Sequence, residues 1–238
     1  MTAPSPVKAP ATRHRLYYSP GTCALAPHIV LEEIGEPYEL HLISASGPRD
    51  GEMTSKPEWK AINPKARVPA LLGVPGRIGG AENLLTEVPA ILIYLARTGP
   101  SAQLLPSDPA GEARCIEWMN WLSGNVHTIA FAQIWRPHRF TTGEEGFAAV
   151  RTSGRDNITE SFAYIEKLLA DGRGWAIPEG YTVVDAYLLV FYYWGRCRIG
   201  LDMGTLCPAW TRLSELVARR PAVQRALKTH QITIFETE

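Results

Sequence analysis

Over residues 98–109 the sequence reads TGPSAQLLPSDP, and the apolar pattern differs in kind on either side of it. Glycine, serine, aspartate and three prolines crowd into this short stretch, which breaks helical and extended periodicity alike and has the composition of a domain boundary. Before it, short apolar runs alternate with helical ones. After it, the pattern is helical to the end. A chain of 238 residues is long enough for two such units. The expected fold class is therefore α/β plus all-α: an α/β domain over 14–98, a linker over 99–108 and an all-helical domain over 109–238. Residues 1–13 are expected to be a disordered extension, because their Pro, Ala and basic residues include no apolar core of a secretory signal.

Within the first domain, residues 15–18 (RLYY) and 37–43 (PYELHLI) suit a pleated surface. Between them, residues 24–34 place Leu25, His28, Ile29 and Glu32 at helical spacing, and Gly35 supplies the stop. Residues 57–62 read as a short helical piece. Residues 68–72 and 77–84 read as two further strands, and 86–96 as a helix with Thr86 as its N-cap. The order is β-α-β-α-β-β-α, which favours a small sheet with helices on its faces. In the second domain, helices are expected over a long segment from 109, then over 144–169, 183–196, 210–219 and 222–228. Cys115, Met119, Leu122, Val126 and Ile129 step by four, three, four and three, which predicts one buried stripe.

Formal net charge is zero, with 45% hydrophobic and 20% charged residues. No basic field attracts nucleic acid or anionic lipid, so those partners are not expected. The most apolar run, 183–194, is interrupted by Asp185 and is too short for a bilayer, which needs about 20 residues. It reads as a buried core helix opened by the capping box Thr182-x-x-Asp185, which makes Asp185 structural. Four cysteines, Cys23, Cys115, Cys197 and Cys207, show neither CxxC nor zinc-type spacing. A reducing cytoplasm is the expected compartment, with no metal.

Cys23, in the stretch LYYSPGTCALAPHIVLEE, stands where a strand hands over to a helix after Pro20-Gly21. Two readings stay open. The helix start favours a thiolate, below the usual thiol value of about 8.5; alternatively, Cys23 is a small packed hydrophobe. On the first long helix Asn120, Gly124 and His127 share a stripe away from the apolar one, which suggests that something other than core packs there.

The ordered motifs YYSPGTCALAPHIVLEE, NPKARVPALL, LLTEVPAILIYLA and TVVDAYLL resemble a cytosolic glutathione S-transferase, most like the bacterial beta class, over residues 15–229. The resemblance implies a thioredoxin-like N-terminal domain, an all-helical C-terminal domain, a homodimer and a role in detoxification. It implies glutathione as co-substrate and a small hydrophobic electrophile as second substrate. Cys23 would lie beside the glutathione sulfur, either steadying its thiolate or acting as a nucleophile in thiol exchange. Tyr18 and Ser19 occupy the places of an activating hydroxyl in other classes, although Tyr18 reads better as strand packing and Ser19 equally as a turn cap. Val68-Pro69 would be a cis bond whose residue 68 pairs with the tripeptide backbone. Glu87 would meet the γ-glutamyl ammonium and the Val88 N–H its carboxylate. Val88 departs from the usual Ser or Gly, which implies weaker binding. The family lysine has no clear counterpart, and Arg49, Lys56 or Lys65 would replace it. Asn120 and His127 would line the cleft, with His127 polarising the sulfur or moving a proton. Trp135, Arg136 and His138 would shape the electrophile pocket. Three functions remain open: glutathione conjugation, glutathione-dependent disulfide exchange through Cys23, and a non-catalytic glutathione- or partner-binding module.

Overall fold

Alternation along the strands sorts their side chains onto two faces of one sheet. The computed structural model describes residues 13–45, 53–76 and 80–235. Strand β1 (His14–Tyr18) runs parallel to β2 (Tyr38–Leu42) and antiparallel to β3 (Ala70–Leu72), which pairs antiparallel with β4 (Leu84–Thr86). The order is β2-β1-β3-β4. Leu16 and its cross-strand partner Leu71 face helices α1 (Leu25–Ile34) and α3 (Val88–Thr98), in one core with Ile29 and Ile91. Their neighbours Tyr17 and Ala70 point the other way, onto Trp59 of the short helix α2 (Pro57–Ile62). The period of two is what fixes this register. Helix α1 ends as its sequence demands: Gly35 takes φ +74° and returns its N–H to the Leu31 carbonyl at 3.1 Å. The result is a thioredoxin-like sheet domain followed by helices.

Two local expectations fail here. The last strand lies at Leu84–Thr86 rather than over 77–84, because Gly80 and Asn83 adopt positive φ and spend those positions on a turn. Residues 77–79 lie outside the described residues, as do 1–12 of the expected disordered extension. Thr86 closes β4 instead of capping α3. The N-cap position falls to Glu87, held at φ +74° and ψ +122°.

The helical part begins with α4 (Pro109–Trp121), capped by Asp108, whose Oδ1 accepts the Gly111 N–H at 2.8 Å. The helix then widens over Leu122–Phe131 to bonds spanning five residues, and closes as α5 (Ala132–Trp135). That widening corrects the expected stripe. Each hydrogen-bonded turn holds one more residue than an α-turn, so burial passes from Val126 to Ala130 and Phe131, and Ile129 is 41% exposed. Helices α6 (Phe147–Leu169), α7 (Val183–Tyr193), α8 (Met203–Leu206), α9 (Pro208–Ala218) and α10 (Pro221–His230) follow. A second widened segment, Trp194–Arg198, extends α7. Helices α9 and α10 begin slightly before their apolar patterns do, on Pro208 and Pro221, since proline suits the first helical turn. Among the described residues no helix is long and apolar enough to cross a membrane.

Every residue of α7 is buried, so it is the axis of the molecule. Each large apolar side chain it hides contributes about 1.5–3 kcal/mol. The core around it runs without a break into α1 and α3. The stretch 99–108 is tied in as well: Leu104 is buried and its carbonyl accepts the Val183 N–H at 3.0 Å. At the far side Arg220 forks onto Glu33 (2.6 and 3.0 Å) and Arg225 reaches Glu32 at 2.5 Å, fastening α10 to α1. These contacts hold the β1–α1 turn, where the candidate site begins, against the helical part.

Candidate functional site

Three sharp chain reversals from the sheet domain face three helical segments across a cleft of about 520 Å³. One wall is the β1–α1 turn with Cys23, the Val68–Pro69 bend and the β4–α3 junction with Glu87 and Val88. The other comes from the widened part of α4, from residues 135–139 and from the end of α7.

The β1–α1 turn is built locally and braced from afar. Gly21 sits at φ +70°, and the Thr22 hydroxyl bonds the Ser19 carbonyl at 2.7 Å. The Trp194 indole N–H donates to the Gly21 carbonyl at 2.8 Å, and the Gly21 N–H reaches His230 Nδ1 at 3.4 Å. A Cβ on Gly21 would stand 3.2 Å from the Tyr193 hydroxyl oxygen. Gly21→Ala is accordingly expected to cost about 1–2 kcal/mol, from the left-handed backbone together with the crowding. Urea unfolding of the variant against the parent measures it.

The Val68–Pro69 bond is cis, as the resemblance implies. Its exposed edge faces the thiol: Cys23 Sγ lies 3.6 Å from the Val68 carbonyl oxygen. The preceding loop is clamped by buried Asn63, which donates to the Arg67 carbonyl at 2.9 Å and accepts the Lys65 N–H at 3.2 Å. That clamp aims Lys65 at the β4–α3 junction. Its ammonium meets Glu87 at 2.5 Å and the Thr86 hydroxyl at 2.8 Å. Glu87, in its unfavourable backbone conformation, thus stands at the N-terminus of α3 with a cation already beside it. Such outliers persist where surrounding structure over-determines them and cluster at binding sites.

Electrostatics correct the thiolate reading of Cys23. The side chain is only 5% exposed, and burial pushes its pKa up to about 12, outweighing the positive charge of Arg67. The helix start loses to desolvation. His127 moves the opposite way, down to about 4, through burial first and the charges of Arg67 and Arg139 next. Near neutral pH the cleft therefore holds a protonated thiol and a neutral imidazole, the latter packed 5.0 Å from the Trp194 ring.

Of the residues singled out by sequence, Cys23, Lys65, Val68, Pro69, Glu87, Val88, His127, Trp135 and Arg136 all line the cleft. Among the described lining residues Tyr18, Ser19, Lys56, Asn120 and His138 do not occur. Tyr18 packs between His28 and His230, at ring distances of 6.2 and 5.1 Å. Ser19 is buried and its hydroxyl accepts the Ala45 N–H at 3.2 Å, a turn role. Asn120 is exposed. The wide turn replaces the expected stripe: Ser123, His127 and Thr128, spaced four and five apart, share the cleft face instead, and Thr128 bonds the Ser123 carbonyl at 2.7 Å. Arg49 lies outside the described residues. Sequence reasoning missed Arg67, Ser123, Thr128, Arg139, Trp194 and Arg198, all of which line the cleft. Arg67 could have been found beside Val68; Trp194 and Arg198 carry no local signal.

Residues 21–98 match the sequence model described as glutathione S-transferase, N-terminal domain. Glutathione S-transferase GstA of Escherichia coli O157:H7 is 33% identical over 215 residues, covering 90% of this chain and 96% of that one. The crystal structure of a glutathione transferase homologue from Sulfitobacter with bound glutathione superposes with a TM-score of 0.81 at 27% identity, over 93% of this chain and all of that one. A beta-class glutathione S-transferase from Sphingomonas chungbukensis gives a TM-score of 0.73 at 28% identity, over 91% and 98% of the two chains.

Proposed function

Because the chain belongs to the glutathione S-transferase family, we propose that its cleft binds glutathione and promotes attack of the tripeptide's thiolate on a small electrophile. One observation carries the reading: the Cys23 thiol, the Val68–Pro69 edge and Glu87 at the start of α3 converge on one cleft that the helical part closes from the other side. The open edge of residue 68 suits an extended peptide added as a strand. Glu87 suits the γ-glutamyl ammonium, and the first N–H groups of α3 suit its carboxylate. Lys65 or Arg67 takes the place of the family lysine.

In this reading the thiolate forms a C–S bond, the leaving group departs with its electron pair, and the thiol proton passes to solvent. Cationic lining residues favour the ionised sulfur. Cys23, protonated, donates its S–H to that sulfur rather than attacking it. His127, neutral, offers a hydrogen bond at the same place. Disulfide exchange through a Cys23 thiolate is disfavoured by the burial of Cys23. The cytoplasm, where the free thiols persist, and a homodimer belong to the same proposal; sedimentation that finds one chain at working concentration removes the dimer from it.

Two variants test the reading. Glu87→Gln is expected to weaken glutathione about tenfold by calorimetry, since a charge-assisted bond becomes a neutral one. Cys23→Ala is expected to keep a measurable conjugation rate with chlorodinitrobenzene, reduced severalfold. Unchanged affinity in the first variant sinks the assignment of Glu87. Tight glutathione binding without any conjugation by the parent protein favours a non-catalytic binding module.

A further inference from the structure

A tyrosine hydroxyl is buried beneath the cleft without a hydrogen bond, although a phenylalanine would fill the same space. Tyr187, on α7, is fully buried and packs its ring on Phe191 at 4.9 Å. Its hydroxyl closes no hydrogen bond among the described residues. Such a group costs folding free energy. Helix α7 packs against both α1 and α4, which carry the two walls of the cleft. After burial itself, three groups act on the ionisation of Tyr187: Cys23, the Ser123 hydroxyl, which comes close to bonding it, and Glu87. All three line the cleft. Tyr181, whose hydroxyl is likewise buried and unbonded, answers instead to Glu33, Asp185 and Arg220, none of which lines it. The Tyr187 hydroxyl therefore faces the site, and that of Tyr181 does not.

Resting on the conjugation reading above, we propose that Tyr187 and Ser123 act as two hydroxyls in series, Tyr187 donating to the Ser123 oxygen and Ser123 to the glutathione sulfur. Ser123 is then a catalytic residue, and Tyr187 the residue that positions it. Access separates the two roles. Tyr187 does not line the cleft, whereas Ser123 does, four residues before His127 and on the same face. Cys23, beside which the sulfur is placed, acts on the same phenol as Ser123, so Ser123 stands on the sulfur's side of the cleft. Burial holds the phenol well above its ordinary range, which keeps it a proton donor at every working pH. A serine hydroxyl has one proton to give and two lone pairs to accept with. With the tyrosine proton on its oxygen, Ser123 keeps its own for the sulfur, and each bond polarises the next. Hydrogen bonds to the charged form of an acid lower its pKa, so the pair favours the glutathione thiolate. No proton travels along it; the thiol proton still passes to solvent.

The test is a pH titration of thiolate absorbance in the glutathione complex of the full chain, for the parent and four variants. Ser123→Ala is expected to raise the midpoint by about one pH unit, a tenfold change, the size of one hydrogen bond to a charged group. Ser123→Thr, which keeps a hydroxyl, should recover most of that shift. Tyr187→Phe is expected to raise the midpoint by about half a unit. Its urea unfolding midpoint should equal or exceed the parent's, because a phenyl ring leaves no polar atom unsatisfied. Joining Tyr187→Phe to Ser123→Ala should add nothing, since the tyrosine acts through the serine. A thiol midpoint unmoved by Ser123→Ala overturns the proposal. So does a Tyr187→Phe variant with the parent midpoint, because the hydroxyl then serves the core. Shifts that simply add in the double variant overturn it as well. A parent that forms no complex, or whose bound thiol titrates like free glutathione, overturns the conjugation reading itself, and this proposal falls with it.

Discussion

Replacing Asp185 with alanine is expected to remove about 3–5 kcal/mol of folding free energy, the largest loss among single changes considered for this chain. The carboxylate is fully buried and accepts the Ala176 N–H at 2.8 Å, the Thr182 N–H at 2.7 Å and the Thr182 hydroxyl at 3.2 Å. It closes the capping box that starts α7, the helix around which the whole core is packed. Alanine would strand two buried backbone donors, at about 1–3 kcal/mol each, and abolish the cap. Asp185→Asn keeps one acceptor and should fall between parent and alanine variant. Urea unfolding at equilibrium decides it; a loss below about 1 kcal/mol for alanine would mean that the box does not organise the core.

Acidification is expected to have the second large effect, lowering stability by about 3 kcal/mol between roughly pH 7 and pH 5. His28 and His230 are both buried and stacked 5.2 Å apart, where α10 meets α1. His28 Nε2 lies 2.9 Å from the Tyr38 hydroxyl, which in turn bonds Glu32. Burial depresses both imidazoles below the ordinary 6.5, to about 4 for His28 and about 3 for His230, with their mutual repulsion adding to the latter. The unfolded chain therefore binds protons that the folded chain refuses. Stability is complete above pH 6.5 and drains as pH falls toward 4. His127 adds in the same direction. Asp185, pushed up to about 6 by burial, works against them by gaining a proton in the folded state. Three histidines outweigh one carboxyl, so the net sign is acid lability. A His230→Gln variant should flatten the dependence; stability equal at both pH values in the parent chain would contradict the account.

What could be read from sequence was local. The order of elements, the turn at Gly21 and the Thr182–Asp185 box are each specified by residues a few positions apart, and all are present. The cis Val68–Pro69 bond is present too, but the family resemblance, not its neighbours, implies it. The rest depended on tertiary structure. Cys23 stands at a helix start as its sequence says, but the packing around it sets its protonation, and burial reverses the expected direction. Asn120 lost its place because the helix widens over Leu122–Phe131, and a periodicity argument assumes an unwidened helix. Trp194 and Arg198 join the cleft across more than 170 intervening residues, through the fold alone, with the Trp194–Gly21 bond as the plainest instance.

Ultraviolet absorbance of the glutathione thiolate, followed through a pH titration of the complex, is the most direct measure of the central claim. The protein's own cysteines do not obscure it. Burial pushes Cys23, Cys115 and Cys207 up to about 12 and raises Cys197 as well. A thiolate band growing in below about pH 8 therefore belongs to the bound tripeptide. The account predicts a midpoint at least about one pH unit below that of free glutathione, and its return toward the free value when Arg67 is replaced by Gln. A bound midpoint equal to the free one, or no complex at all, would contradict it.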